Sequence, residues 1–175
     1  DFDDLILDDL SKEKKKKVNG KKKGNRVELQ LAKLLSTRFG KSFSRSVGSG
    51  NRWGQVSNMP SHAKETLVGD LCCPEGFKYV VECKGGYENA IDLNGLHDGI
   101  SQIDKFIKQS EHDAELSGKL PIIIWKRNNK PWLAMVKCDI NIAPIFFEIY
   151  MLYKGWIIVD LNELLKQHDT FWFKE

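Results

Sequence analysis

The stretch "YVVECKGG" (Tyr79–Gly86) sets an acid and a base two residues apart in what otherwise reads as a buried strand. Val, Tyr and Cys suit a pleated, half-buried segment, whereas Glu82 and Lys84 in its middle call for either an ion pair or chemistry. Side chains alternate along a strand, so Val80, Glu82 and Lys84 share one face and Tyr79, Val81 and Cys83 the other. Just upstream, "TLVGDLCC" (residues 66–73) reads as a second strand, and the intervening "PEG" predicts a hairpin. There Val68, Asp70 and Cys72 share a face, and pairing brings Asp70 beside Glu82. Two carboxylates and a lysine then converge on one patch.

Opposed carboxylates repel unless something cationic lies between them. A divalent ion supplies that charge: Mg²⁺ takes oxygen ligands at about 2.1 Å, commonly one or two carboxylates plus phosphate and waters. Held there, it suits phosphodiester hydrolysis, with the lysine orienting water or offsetting charge in the transition state. The other reading is a solvated Glu-x-Lys pair on an exposed strand face, which is common. An Asp at the preceding strand and an apolar run leading into Glu82 favour the chemical reading.

Working outward, "GNRVELQLAKLLSTRFGK" places Val27, Leu31, Leu34 and Leu35 at helical spacing. The pattern predicts a helix from about Arg26 to Phe39, with Asn25 as its N-cap and Gly40 as its stop. Glu28 lies at the edge of the apolar stripe, either as the closing acid of an Asn25-x-x-Glu28 capping box or as part of the site. "SFSRSVGSGNRWGQ" reads as a short strand entering a loop, and Asn51 to Thr66 as a long loop interrupted by Pro60. A second helix fits Leu96 to Leu116, stopped by Gly118. "LPIIIWK" and "PWLAMVK" form a further hairpin across "RNNK", "IFFEIYML" and "WIIVD" are two more strand candidates, and Asp160…Glu163 opens a C-terminal helix.

The 175 residues, 41% hydrophobic and 29% charged, fit one soluble domain with its own core. No run of about 18 apolar residues occurs, so no membrane partner is expected. The start "DFDDLILDDL" lacks both Met and a secretory pattern, which suggests a truncated or processed beginning and a cytoplasmic protein, nucleoid-associated or in a host cytoplasm. Cys72, Cys73, Cys83 and Cys138 lack paired zinc spacing and read as free thiols. The net charge of +3 hides an asymmetry: five Asp in the first ten residues, then eight Lys between Lys12 and Lys23. We expect residues 1–24 to form a flexible charged arm, either solvated or bound to nucleic-acid phosphates, and residues 25–175 a single α/β domain with a central mixed β-sheet flanked by helices.

The succession "KKKGNRVELQLAKLL", "SRSVGSG", "VGDL" and "VVECKGG" resembles the archaeal-type Holliday junction resolvases of the PD-(D/E)XK nuclease superfamily, over roughly residues 21 to 86. The resemblance implies a restriction-endonuclease-like core and a Mg²⁺ (or Mn²⁺) ion surrounded by Glu28, Asp70 and Glu82, with the Cys83 carbonyl as a further ligand. It makes Lys84 the catalytic lysine and Ser49 the loop serine near the scissile phosphate. Gln102 matches a glutamine on the following helix, the alternative being an ordinary solvent-facing residue. Lys21, Lys22, Lys23, Arg26, Arg45 and Arg52 are the expected DNA contacts. Gly69 stands where the family has its proline, and "NRWGQVSNMPSHAKET" is an insertion. Within it Trp53, His62 and Lys64 accompany Arg52 as either DNA contacts or plain surface.

The expected function is metal-dependent cleavage of branched DNA, as a homodimer nicking a four-way junction in pairs. Two alternatives stand beside it, a restriction-like or repair nuclease on duplex or flap DNA and a non-catalytic DNA-binding protein.

Overall fold

The computed structural model describes residues 20–46, 60, 63, 67–138 and 147–174, with 20–23 described by backbone alone. Its centre is a five-stranded mixed sheet. The strands are β3 (Tyr79–Gly85), β4 (Leu120–Lys126), β5 (Trp132–Lys137), β6 (Met151–Tyr153) and β7 (Trp156–Asp160), in the spatial order β3-β4-β5-β7-β6. β3 and β4 run parallel, joined by a helical crossover, while the other neighbours are antiparallel. A separate two-stranded ladder pairs β1 (Ser44–Arg45) with β2 (Leu71–Cys72).

Strand alternation sorts the core into two layers. Tyr79, Val81 and Cys83 face one side with Ile122, Ile124, Ala134, Val136, Ile157 and Val159. Helix α1 (Gly20–Phe39) covers that side through Val27, Leu31 and Leu35, together with α4 (Leu161–Leu165) and α5 (Asp169–Trp172). The other side, lined by Ile123, Trp125, Met135, Trp156 and Ile158, packs on Ile103, Phe106 and Ile107 of α3 (Gln102–Ser117). β4 is therefore buried on both faces, which is why "IIIW" reads as a continuous apolar run.

Four expectations differ in detail. α1 begins at Gly20, six residues before Arg26, because lysines are good helix formers and carry the helix back through Gly24. Asn25 is thus inside the helix and caps nothing. Among the described residues of the expected 66–73 strand, 67–73, only Leu71–Cys72 is a strand, and it pairs with β1 and not in a regular hairpin ladder with β3. The helix expected over Leu96–Leu116 is two, α2 (Leu93–Asp98) and α3, separated at Gly99 in the left-handed region. Ser101 restarts the chain with a capping box closed by Asp104. Among the described residues of "IFFEIYML", 147–152, only Met151 and Leu152 enter strand β6.

Asp104 also fixes where α3 sits. Its carboxylate accepts from Ser101 Oγ (2.7 Å), Tyr153 Oη and the Lys154 ammonium, tying the helix start to the β6–β7 turn. Burial raises this carboxyl, but the hydrogen bonds from Lys154, Ser101 and Tyr153 outweigh it and hold it down at about 2. At the other end, Phe77, Phe39, Tyr79 and Trp172 pack ring on ring and dock the C-terminal α5 beneath β3. Among the described residues no helix is long and apolar enough to cross a membrane.

Candidate active site

β3 is an edge strand of the main sheet, and Asp70 lies along its open side. The Asp70 amide donates to the Val81 carbonyl (2.9 Å), and Asp70 Oδ2 accepts from the Cys83 amide (2.8 Å). Asp70 thus stands beside Val81 to Cys83, bracketing Glu82, as the sequence pattern predicts. Gly69 makes this approach feasible. Its φ is +89°, and a Cβ there would lie 2.8 Å from Val80 Cγ2 and 2.9 Å from the Val81 carbonyl. Proline is fixed near φ −65°, so the family's proline is incompatible with this backbone.

Glu82 and Lys84 both point to the α3 side. Glu82 is only 2% exposed, and its Oε1 accepts from the Lys84 ammonium. That ammonium also donates to Gln109 Oε1 (2.8 Å) and lies 5.2 Å from the centre of the Phe106 ring. The lysine is therefore held from three sides with its charge aimed along Glu82. Glu82 Oε2 is buried and receives no hydrogen bond. The carboxyl of Asp113, on α3, lies against Glu82, and the two can hydrogen-bond only when one of them keeps a proton.

The electrostatics follow from this crowding. Burial, then the charge of Glu82, lifts Asp70 from 3.8 to about 8, against the pull of the Cys83 amide. Burial likewise lifts Glu82 to about 7, although Lys84 opposes it, and Asp113 to about 6. Three buried carboxyls face one ammonium, so without an added cation they hold protons near neutrality.

Among the described residues no three His, Cys, Asp or Glu side chains form a complete cation cage. Magnesium needs none, since it keeps several waters and commonly uses only one or two carboxylates. An all-oxygen pair, one member carrying a donorless buried oxygen, fits a hard divalent ion.

The other expected residues fall into three groups. Glu28 is buried on α1 and its Oε2 accepts from Arg45 Nε. It is close enough to raise Asp70 electrostatically, but its direct partner is this arginine, so Arg45 is engaged within the protein. Arg26 is exposed on α1, and Lys21, Lys22 and Lys23 form its first turns. Gln102 opens α3, and the glutamine that meets Lys84 is Gln109, about two turns further on. Ser49, Arg52, Trp53, His62 and Lys64 lie outside the described residues. Cys83 is buried in the α1-side core, with its thiol pushed well above the ordinary range by burial and the surrounding carboxylates.

Gln109 and Asp113 are the two site residues that the sequence reading misses. A signal exists: Gln102, Gln109 and Asp113 are spaced i, i+7 and i+11, one face of a helix, and only the helix's placement on β3 selects among them.

Two comparisons with known proteins agree with this arrangement. The family described as "Phage putative PDDEXK endonuclease" matches residues 19–173. "Protein D14" of Escherichia phage T5 is 31% identical over 120 residues, covering 66% of this chain and 69% of that protein. No solved structure matches the chain. The matched span takes in Glu28, Asp70, Glu82 and Lys84 as well as every element of the sheet, and the chain belongs to this family of phage PDDEXK endonucleases.

Proposed function

We propose that the protein is a divalent-metal-dependent endonuclease acting on branched DNA, and that it resolves four-way junctions by paired nicks as a homodimer. The single observation that carries the catalytic part is the buried pair of Glu82 on β3 and Asp70 along its open edge, with a donorless carboxylate oxygen beside a clamped lysine. The preference for junctions rests on the ordered motifs from Lys21 to Gly86, and the dimer on the two-fold symmetry of a junction.

In this reading Asp70 and Glu82 hold Mg²⁺ or Mn²⁺, with the Cys83 carbonyl as a further ligand. When bound, the ion lowers the pKa of a coordinated water and stabilises charge on a phosphate oxygen. The chain does the rest. Lys84, held by Glu82 and Gln109 and flanked by Phe106, presents its ammonium to the attacking water and to charge developing on phosphorus oxygens. Gln109 has no charge to compete with Glu82, so it fixes the lysine's direction without neutralising it. Arg45 orients Glu28 near Asp70. Burial first, and the neighbouring Asp113 charge after it, hold the Glu82 carboxyl above its ordinary range.

The test is cleavage of an end-labelled four-way junction beside a linear duplex, a flap and a single strand of the same sequence. Symmetric nicks near the branch point, in Mg²⁺ or Mn²⁺ and not in EDTA, are expected. Equal cutting of the linear duplex would assign the site to a restriction-like or repair substrate instead. Salt-sensitive binding without any product would make it a binding protein.

A further inference from the structure

The turn between β4 and β5, Arg127 to Lys130, stands at the same end of the sheet as Lys84. Lys84 pairs with Trp125 across the parallel β3–β4 ladder, and Arg127 follows two residues beyond. A chain of ring contacts joins the two cations: the Lys84 ammonium lies 5.2 Å from the Phe106 ring, Phe106 meets Trp125 edge to face at 6.1 Å, and the Arg127 guanidinium lies 5.1 Å from the Trp125 ring. Arg127 is therefore on the α3 side, the side to which Glu82 and Lys84 point.

Its surroundings are fixed. Trp125 Nε1 donates to the Gly86 carbonyl (2.7 Å), and the Gly86 amide donates to the Lys126 carbonyl (2.8 Å). The Asn128 amide donates to Glu88 Oε1 (2.7 Å), which pins the turn to the loop after β3. Glu88 forms no ion pair with Arg127. Arg127 Nε is buried and has no acceptor among the described residues. The buried Nε anchors the inner edge of a half-buried guanidinium set against an indole, and the outer edge of that planar fork is the part an oxyanion can meet.

We propose that Arg127 binds a second, non-scissile phosphate of the DNA strand whose scissile phosphate lies at Lys84. This rests on the nuclease reading above. Two residues of strand advance about 7 Å. A phosphate held at Arg127 is therefore a near neighbour of the scissile one along the strand and not the same group. Arginine at this position offers a planar fork that two phosphate oxygens can engage together, which lysine does not.

The experiment measures binding of a fluorescent DNA duplex and junction by anisotropy, in EDTA and across a salt series, for wild type, Arg127→Met and Arg127→Lys. Steady-state cleavage is followed in Mn²⁺, with melting temperature as the folding control. Arg127→Met should weaken binding about tenfold, reduce the salt slope by about 0.9 and raise KM with kcat within about twofold. Arg127→Lys should restore the slope but only part of the affinity. An Arg127→Met protein with unchanged affinity and slope overturns the assignment, as does an Arg127→Lys slope no better than that of Met. If wild type cuts DNA while this happens, only the Arg127 assignment falls. A wild type that neither binds nor cuts DNA overturns the nuclease reading and this inference together.

Discussion

Replacing Asp70 by Asn removes a buried ionisable carboxyl while leaving an oxygen to accept from the Cys83 amide, now at 2.8 Å. In wild type, Asp70 is protonated in both folded and unfolded states below pH 3.8. Above that the unfolded chain ionises freely while the folded carboxyl keeps its proton until about pH 8, so stability falls as pH rises through this window. At about 1.4 kcal/mol per pH unit, Asp70 alone sets a ceiling of about 6 kcal/mol on that loss by pH 8. Water reaching the open edge of β3, and the imperfect fit of an amide, reduce the expected gain for Asp70→Asn to about 2–3 kcal/mol. For a chain of this size that is about 5–10 °C in melting temperature. The assay is thermal unfolding in EDTA at pH 4 and pH 8, with and without Mn²⁺. Asp70→Asn should match wild type at pH 4 and exceed it at pH 8, and Mn²⁺ should raise the wild-type melting temperature at pH 8 but not that of the variant. A variant that melts at or below wild type at pH 8 in EDTA would refute the reasoning. Glu82 and Asp113, raised in the same direction, leave Asp70→Asn with a residual decline toward high pH.

Three further outcomes are open to measurement. Gln109→Ala should lower kcat about 10- to 100-fold with KM little changed, since it frees Lys84 without touching bound DNA; steady-state kinetics separate the two. Gly69→Ala should cost about 1–3 kcal/mol in urea unfolding, because a Cβ meets Val80 and the Val81 carbonyl in a left-handed backbone, and an unaffected midpoint would contradict the packing described. Changing Lys21, Lys22 and Lys23 together to Ala keeps good helix formers in α1 while removing three charges. The salt slope of DNA binding should fall by up to about 2.7, and an unchanged slope would show those lysines to be merely solvated.

The residues of β3 were the most legible part of the chain, because a period of two is short enough to be unambiguous over seven positions. The same period assigns Glu82 and Lys84 to one face, and the proximity of Asp70 follows from it. What hid in the sequence was backbone and register. Gly69 stands where the resembled family has its proline, and its positive φ turns Asp70 out of a regular hairpin and onto the β3 edge. A Cβ at Gly85 would lie 2.9 Å from Val27 Cγ2, so α1 packs on β3 only over a glycine, a requirement the letters do not display. Asn25 carried a sound capping pattern that the lysine run upstream overrode. The Gly99…Ser101-x-x-Asp104 stop and start was present in the letters, but the apolar period continued across it and masked the break. Gln102 and Gln109 fall on one helical face, and only the packing of α3 against β3 decides which reaches Lys84.

The central claim is that Asp70, Glu82 and Lys84 form one metal-dependent cleavage site. Its most direct test is single-turnover cleavage of a labelled four-way junction in Mn²⁺ by wild type, Glu82→Ala and Lys84→Ala, each confirmed folded and competent to bind the same DNA. The account predicts cutting by wild type that stops in EDTA and is lost in both variants while binding persists. Cleavage at the wild-type rate by either variant, or by wild type in EDTA, would contradict it.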